Sequence, residues 1–164
     1  FMGTGKSAVA RAFAGKYGMQ ELEMDEQIVR EEGMTIAEIF AGKGEEYFRG
    51  LETGLLMRVC SRKGMLVSCG GGVPLREENV EWMRRSGKIV LLTAEPQTIL
   101  ERVKDSTVRP LLNGHMDAPY IEGLMERRRE YYEEAADYIV STDGKSVEEV
   151  AGEIWRCVTE GGRS

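Results

Sequence analysis

Histidine is almost missing from this chain: among its 164 residues only His115 carries an imidazole, which excludes a metal centre built on a histidine pair. Next to Asn113-Gly114, it reads as a solvated loop residue. Cysteine is scarce as well. The three present, Cys60, Cys69 and Cys157, are odd in number and far apart, which excludes a disulfide framework or the close spacing of a zinc site. Reduced thiols in a cytoplasmic protein are expected. An excess of positive charge is also absent. Acids outnumber bases 28 to 22, for a net charge of -6, so neither nucleic acid nor an anionic membrane is an expected partner. No apolar run approaches the roughly 20 residues of a membrane span, and no basic-then-apolar leader stands in the sequence. Repeats, low-complexity segments and linkers are lacking. What is there, 41% hydrophobic and 30% charged, suffices for one core, and a single domain over 1–164 is expected.

The chain opens on Phe1-Met2-Gly3-Thr4-Gly5-Lys6-Ser7, which matches the end of the phosphate-binding pattern G-x-x-x-x-G-K-[ST]. The first glycine of that pattern, and a strand leading into it, are expected ahead of Phe1. In such a loop successive backbone N–H groups turn inward around phosphate oxygens, and the helix that follows aims its positive end at them. Lys6 would neutralise the β- and γ-phosphates while the Ser7 hydroxyl holds Mg2+. A Gly-rich turn that merely caps a helix is the alternative. Ala8, Val9, Ala12 and Phe13 recur at helical spacing up to Tyr17-Gly18, which supplies the helix the motif requires.

Strand and helix patterns then alternate. Met19–Asp25 reads as a short strand with carboxylates at its end, followed by helical stretches over 26–32 and 35–41, the second opened by a Thr35/Glu38 capping box. Phe48, Leu51, Leu55, Leu56 and Val59 share one helical face. The run GMLVSC, ending in Gly70-Gly71-Gly72, and the run KIVLLTA over 88–94 read as strands buried on both faces, with a shorter third over 137–142. Helical patterns occupy 76–85, 96–104, 121–136 and 146–158. The alternation predicts a parallel sheet in an α/β layer fold. Two of only four prolines fall in Asp105–Tyr120, a stretch without periodicity that reads as a lid closing over a nucleotide to exclude water.

In parallel α/β sheets ligands gather at the carboxyl ends of strands. Glu23 and Asp25 stand at one such end, with helix capping by Asp25 as the alternative. Gly70, Gly71 and Gly72 read as a tight turn or as close approach of backbone to a ligand. Arg49, after Phe48, reads by default as solvated or salt-bridged, and the basic-aromatic stretch Arg127–Tyr132 as a solvated helix face.

Together these stretches resemble the shikimate kinase family: G-T-G-K-S, a strand-end x-x-D, IAEIF, GEEYFRGLE, GGGV, VRPLL, a late Arg-rich helix and STDGKSVEEV span nearly the whole chain. The resemblance implies a five-stranded parallel sheet of the nucleoside monophosphate kinase type, its central first strand preceding Phe1, so the natural chain is expected to be longer by that strand. It implies transfer of the ATP γ-phosphoryl group to the 3-hydroxyl of shikimate. Gly3, Thr4, Gly5, Lys6, Ser7 and Ala8 would cradle the ATP phosphates, with Mg2+ at Ser7 and Glu23 and with Arg102 against the adenine. Asp25 would accept a hydrogen bond from the attacking hydroxyl and act as base. Arg49 and Arg128 would clamp the shikimate carboxylate beside Gly70–Gly72, and Arg109 would swing in with the lid. The family's strand-end pair is usually Asp-x-Asp, where this chain has Glu23-Met24-Asp25. Its late arginine usually stands in R-x-P-x-Y; alignment on Tyr132 selects Arg128. A monomer is expected. The alternatives are a related gluconate or nucleoside monophosphate kinase, and a nucleotide-binding module that has lost catalysis.

Overall fold

The computed structural model describes residues 1–103 and 118–161. Helix α1 (Lys6–Tyr17) leads to strand β1 (Gln20–Glu23), three helices α2 (Met24–Glu32), α3 (Ile36–Lys43) and α4 (Glu45–Val59), and strand β2 (Met65–Ser68). A 3-10 turn (Val73–Leu75), α5 (Glu77–Ser86), β3 (Val90–Thr93), α6 (Pro96–Val103), α7 (Ala118–Ala135), β4 (Tyr138–Ser141) and α8 (Val147–Glu160) complete the described chain. The expected alternation is therefore present. Its boundaries differ where local hydrogen bonding decides: Met24 and Asp25 belong to α2 rather than to the strand, and Ala118–Tyr120, expected in the lid, form the start of α7.

All described strand pairing is parallel, Leu22 facing Val67 in β1–β2 and Leu91 facing Ile139 in β3–β4. The strands form two pairs, not one continuous sheet. Between β2 and β3 lies a largely apolar cleft of about 300 Å3, walled by Leu66 and Val67 on one side and Val90 and Leu91 on the other, with Phe1 in its lining. Bordering the cleft explains why Met65, Leu66 and Val67 are only half-buried, although the unbroken apolar run predicted burial on both faces.

Three apolar clusters hold the layers. Val9 and Phe13 of α1 meet Leu92, Val140 and Ile154. Met24, Ile28, Ile39, Phe48 and Leu55 join α2, α3 and α4. Phe1, Ile99, Ile121, Leu124 and Tyr132 seat α6 and α7 beside the opening loop. Burial of side chains this size stabilises the fold by about 1.5–3 kcal/mol each.

Two helices start with reciprocal capping boxes, Thr35 with Glu38 and Ser146 with Glu149. Backbone N–H groups, then the capping hydroxyls, hold the Glu38 and Glu149 carboxyls below their ordinary value of 4.5. A lowered folded-state pKa contributes stability that is fully present above 4.5 and is lost as pH falls through the folded value. The double variant Glu38→Gln, Glu149→Gln should begin less stable at neutral pH and lose less on acidification to about pH 3 in urea titrations. Parallel stability curves for variant and wild type would remove the caps from the acid response.

Candidate functional site

The opening loop is shaped to receive an anion. Gly3 and Gly5 have φ values of 71° and 87°, in the left-handed region that other residues enter only with strain. Gly5 is the N-cap of α1, no side chain caps this end, and its first turn holds no acid, so the positive end of the helix meets no built-in carboxylate. Buried Thr4 donates to the Phe1 carbonyl at 3.0 Å, and the Lys6 ammonium donates to the same oxygen. Ser7 and Ala8 are exposed in the first turn. Arg102 closes the loop from α6, donating to the Gly3 carbonyl at 3.3 Å and to the Thr142 hydroxyl at 3.0 Å. Thr142 directly follows β4, and Asp143 beside it accepts from the Glu95 N–H. Lys6, Arg102 and the loop are thus brought together. Arg109 lies outside the described residues, as does the expected lid up to residue 117.

The second half of the site is organised by Gly70–Gly72. None of these three has a positive φ; what they supply is room. A β-carbon at Gly70 would stand 2.6 Å from Glu52 Oε1 and 2.9 Å from Asp25 Oδ1. One at Gly71 would stand 3.5 Å from the Tyr132 hydroxyl and 3.8 Å from Arg128 Nη1, and one at Gly72 only 1.8 Å from Arg49 Nη1. Successive Cα atoms are about 3.8 Å apart, so Asp25, Arg128 and Arg49 surround a single turn although they lie far apart in the chain.

Asp25 sits in the first turn of α2, whose N-cap is Glu23, without a side-chain capping bond. The capping alternative for Asp25 is therefore corrected. Burial, then the charge of Asp25, raises the Glu23 carboxyl above 4.5. Hydrogen bonding to the Asp25 backbone N–H and the charge of Lys6 oppose that rise.

Of the two default readings for Arg49, the structure has the salt-bridged one: it is only 9% exposed and pairs with Glu45 and Glu52. Its Nη1 donates to Glu52 Oε2 at 2.7 Å, and its Nε and Nη2 donate to Glu45 Oε1 at 3.2 and 2.8 Å. Desolvation works against the guanidinium charge, but hydrogen bonding to Glu52 and then the Glu52 and Glu45 charges hold its pKa raised. Glu52 is 1% exposed. Burial raises its carboxyl despite Arg49, and its Oε1 is buried without a hydrogen-bond partner, an acceptor directed at the turn. Sequence reading missed Glu52 as a site residue. The signal was its i,i+3 spacing from Arg49, which places both on one helical face. Next to the turn, Cys69 has its thiol pushed up to about 12, by burial first and the Glu52 charge second, so it is no ready nucleophile.

Known proteins resemble this chain over nearly its whole length. A family model described as "SKI: Shikimate kinase" matches residues 2–159. The shikimate kinase of Thermodesulfovibrio yellowstonii is 39% identical over 154 residues, 94% of this chain and 88% of that protein. That of Geobacter metallireducens is 40% identical over 94% of this chain and 86% of its own length. Among solved structures, shikimate kinase from Acinetobacter baumannii in complex with shikimate superposes with a TM-score of 0.93 at 31% identity, covering 99% of this chain and 91% of that one. The Aquifex aeolicus enzyme superposes with a TM-score of 0.82 at 32% identity, covering 98% and 93%.

Proposed function

The chain belongs to the shikimate kinase family, and from that premise we propose that it transfers the γ-phosphoryl group of ATP to the 3-hydroxyl of shikimate, a step toward chorismate and the aromatic amino acids. The observation that carries this reading is the turn Gly70–Gly72, around which a carboxylate pair and two arginines converge. A small hydroxylated acid needs that combination: acceptors for its hydroxyls and planar, bidentate donors for its carboxylate.

Phosphoryl transfer is mainly positioning and charge neutralisation. The Gly3–Ala8 loop would hold the ATP phosphates on backbone N–H groups, and Lys6 would leave the Phe1 carbonyl for the β- and γ-phosphates. Asp25 would accept the proton of the attacking hydroxyl. Arg49 and Arg128 would hold the acceptor's carboxylate, with Glu52 keeping the Arg49 guanidinium in place. Arg102 would lie against the adenine, and Arg109 would approach the transferring phosphate with the lid. Ser7 and Glu23 would hold Mg2+, which would neutralise phosphate charge when bound; a hydroxyl and a carboxylate are the oxygen donors such an ion takes. Among the described residues no helix is long and apolar enough to cross a membrane, and the reading is of a cytoplasmic, single-domain monomer.

The test is ADP release with shikimate, quinate, gluconate and AMP as acceptors. Acceleration by shikimate alone is expected. Acceleration by gluconate or AMP in its place would assign a related kinase, and nucleotide binding without turnover would assign a binding module.

A further inference from the structure

Tyr132 joins Arg128 to the Gly70–Gly72 turn without belonging to any role given so far. It lies on α7 one turn beyond Arg128, and its ring is buried at 7% exposure among Phe1, Ile121 and Leu124. Its hydroxyl donates to the Gly71 carbonyl at 2.7 Å and accepts from Arg128 Nη1 at 3.4 Å. The hydroxyl has one proton, and the short bond to Gly71 uses it; only a lone pair is left for Arg128, a partner that can only donate. The polarity of the pair of bonds is therefore fixed. Burial raises the phenol's pKa against the opposing effect of Arg128, which keeps the proton in place for that geometry.

We propose that Tyr132 is a positioning residue of the acceptor site: its hydroxyl locks the Arg128 guanidinium to the Gly70–Gly72 turn, so that Arg128 and Arg49 present their donors to one carboxylate at a fixed separation. The proposal rests on the carboxylate-clamp reading above. The turn is the natural anchor because its other flanks already touch Asp25, Glu52 and Arg49. A guanidinium on an exposed stretch of helix otherwise loses rotamer freedom on binding, and fixing it beforehand removes part of that cost from the substrate.

Tyr132→Phe keeps the packed ring and deletes both hydrogen bonds. It should raise the KM for shikimate about threefold to tenfold, the size of one lost hydrogen bond, while the KM for ATP stays unchanged. It should also narrow the preference for shikimate over its carboxamide analogue. A double-mutant cycle separates positioning from packing. If Tyr132 acts through Arg128, adding Tyr132→Phe to Arg128→Ala costs no further rise in shikimate KM. Equal effects in both backgrounds, or a lowered melting temperature with shikimate KM and discrimination unchanged, would overturn the proposal. Failure of the wild type to use shikimate at all would instead overturn the functional reading beneath it.

Discussion

Asp25→Asn is expected to lower turnover by about 10²–10⁴, the range typical of a lost general base, with ATP affinity little changed. Asp25 Oδ1 lies against the Gly70 position, and the residue stands in the first turn of α2 beyond its N-cap. A structural Asp25 would act on stability, its share through the helix dipole worth about 0.3–1 kcal/mol in such a position, and its loss would leave turnover near normal. The two accounts therefore differ in turnover. After burial, the charge of Asp25 is the next contribution raising the Glu23 carboxyl, and it also raises that of Glu52. Neutralising Asp25 should then make both neighbours easier to ionise, visible as a downward shift of their titrations by NMR. Steady-state kinetics with an ATP-binding titration decides the matter: near-normal turnover returns Asp25 to a structural role.

Much of this arrangement could be read from the sequence because single elements carry their own signals. The helix bearing Arg49 shows in Phe48, Leu51, Leu55, Leu56 and Val59; β3 and β4 show as unbroken apolar runs; the Thr35 start follows from capping chemistry. The helix bounds moved where backbone geometry decided them, as at Met24-Asp25, which the strand reading had absorbed. What no local pattern contains is the meeting of α2, α4 and α7 around one turn. Three glycines signal room for something, but not that side chains from three helices fill it. Glu52 is hard to read for a related reason: its i,i+3 spacing from Arg49 is visible, but a carboxylate on a helix is solvated by default, and only the burial of Arg49 beside it reverses that default. Tyr132 served the sequence reading as an alignment anchor, while its bonds to Gly71 and Arg128 exist only in the folded chain.

A carboxamide analogue of shikimate should lose at least about tenfold in kcat/KM against shikimate, because each charge-assisted hydrogen bond contributes about 1.5–3 kcal/mol and 1.4 kcal/mol is one decade. Arg49→Ala should reduce that discrimination, but it also leaves Glu52 buried without its cation, an imbalance that costs about 3–5 kcal/mol in comparable pairs. Arg49→Lys keeps the charge and loses the fork, so it should rescue only in part. A cleaner probe is Gly72→Ala. Its backbone, at φ -90° and ψ -16°, suits alanine as well as glycine, yet the new β-carbon would stand 1.8 Å from Arg49 Nη1. The guanidinium, as the flexible end, must move while its charge stays near Glu52. Gly72→Ala should therefore raise the KM for shikimate and narrow the preference over the carboxamide, with a smaller loss of melting temperature than Arg49→Ala. Equal handling of the two acceptors by the wild type, or undiminished discrimination in both variants, would remove Arg49 from carboxylate recognition even if the chain remains a kinase.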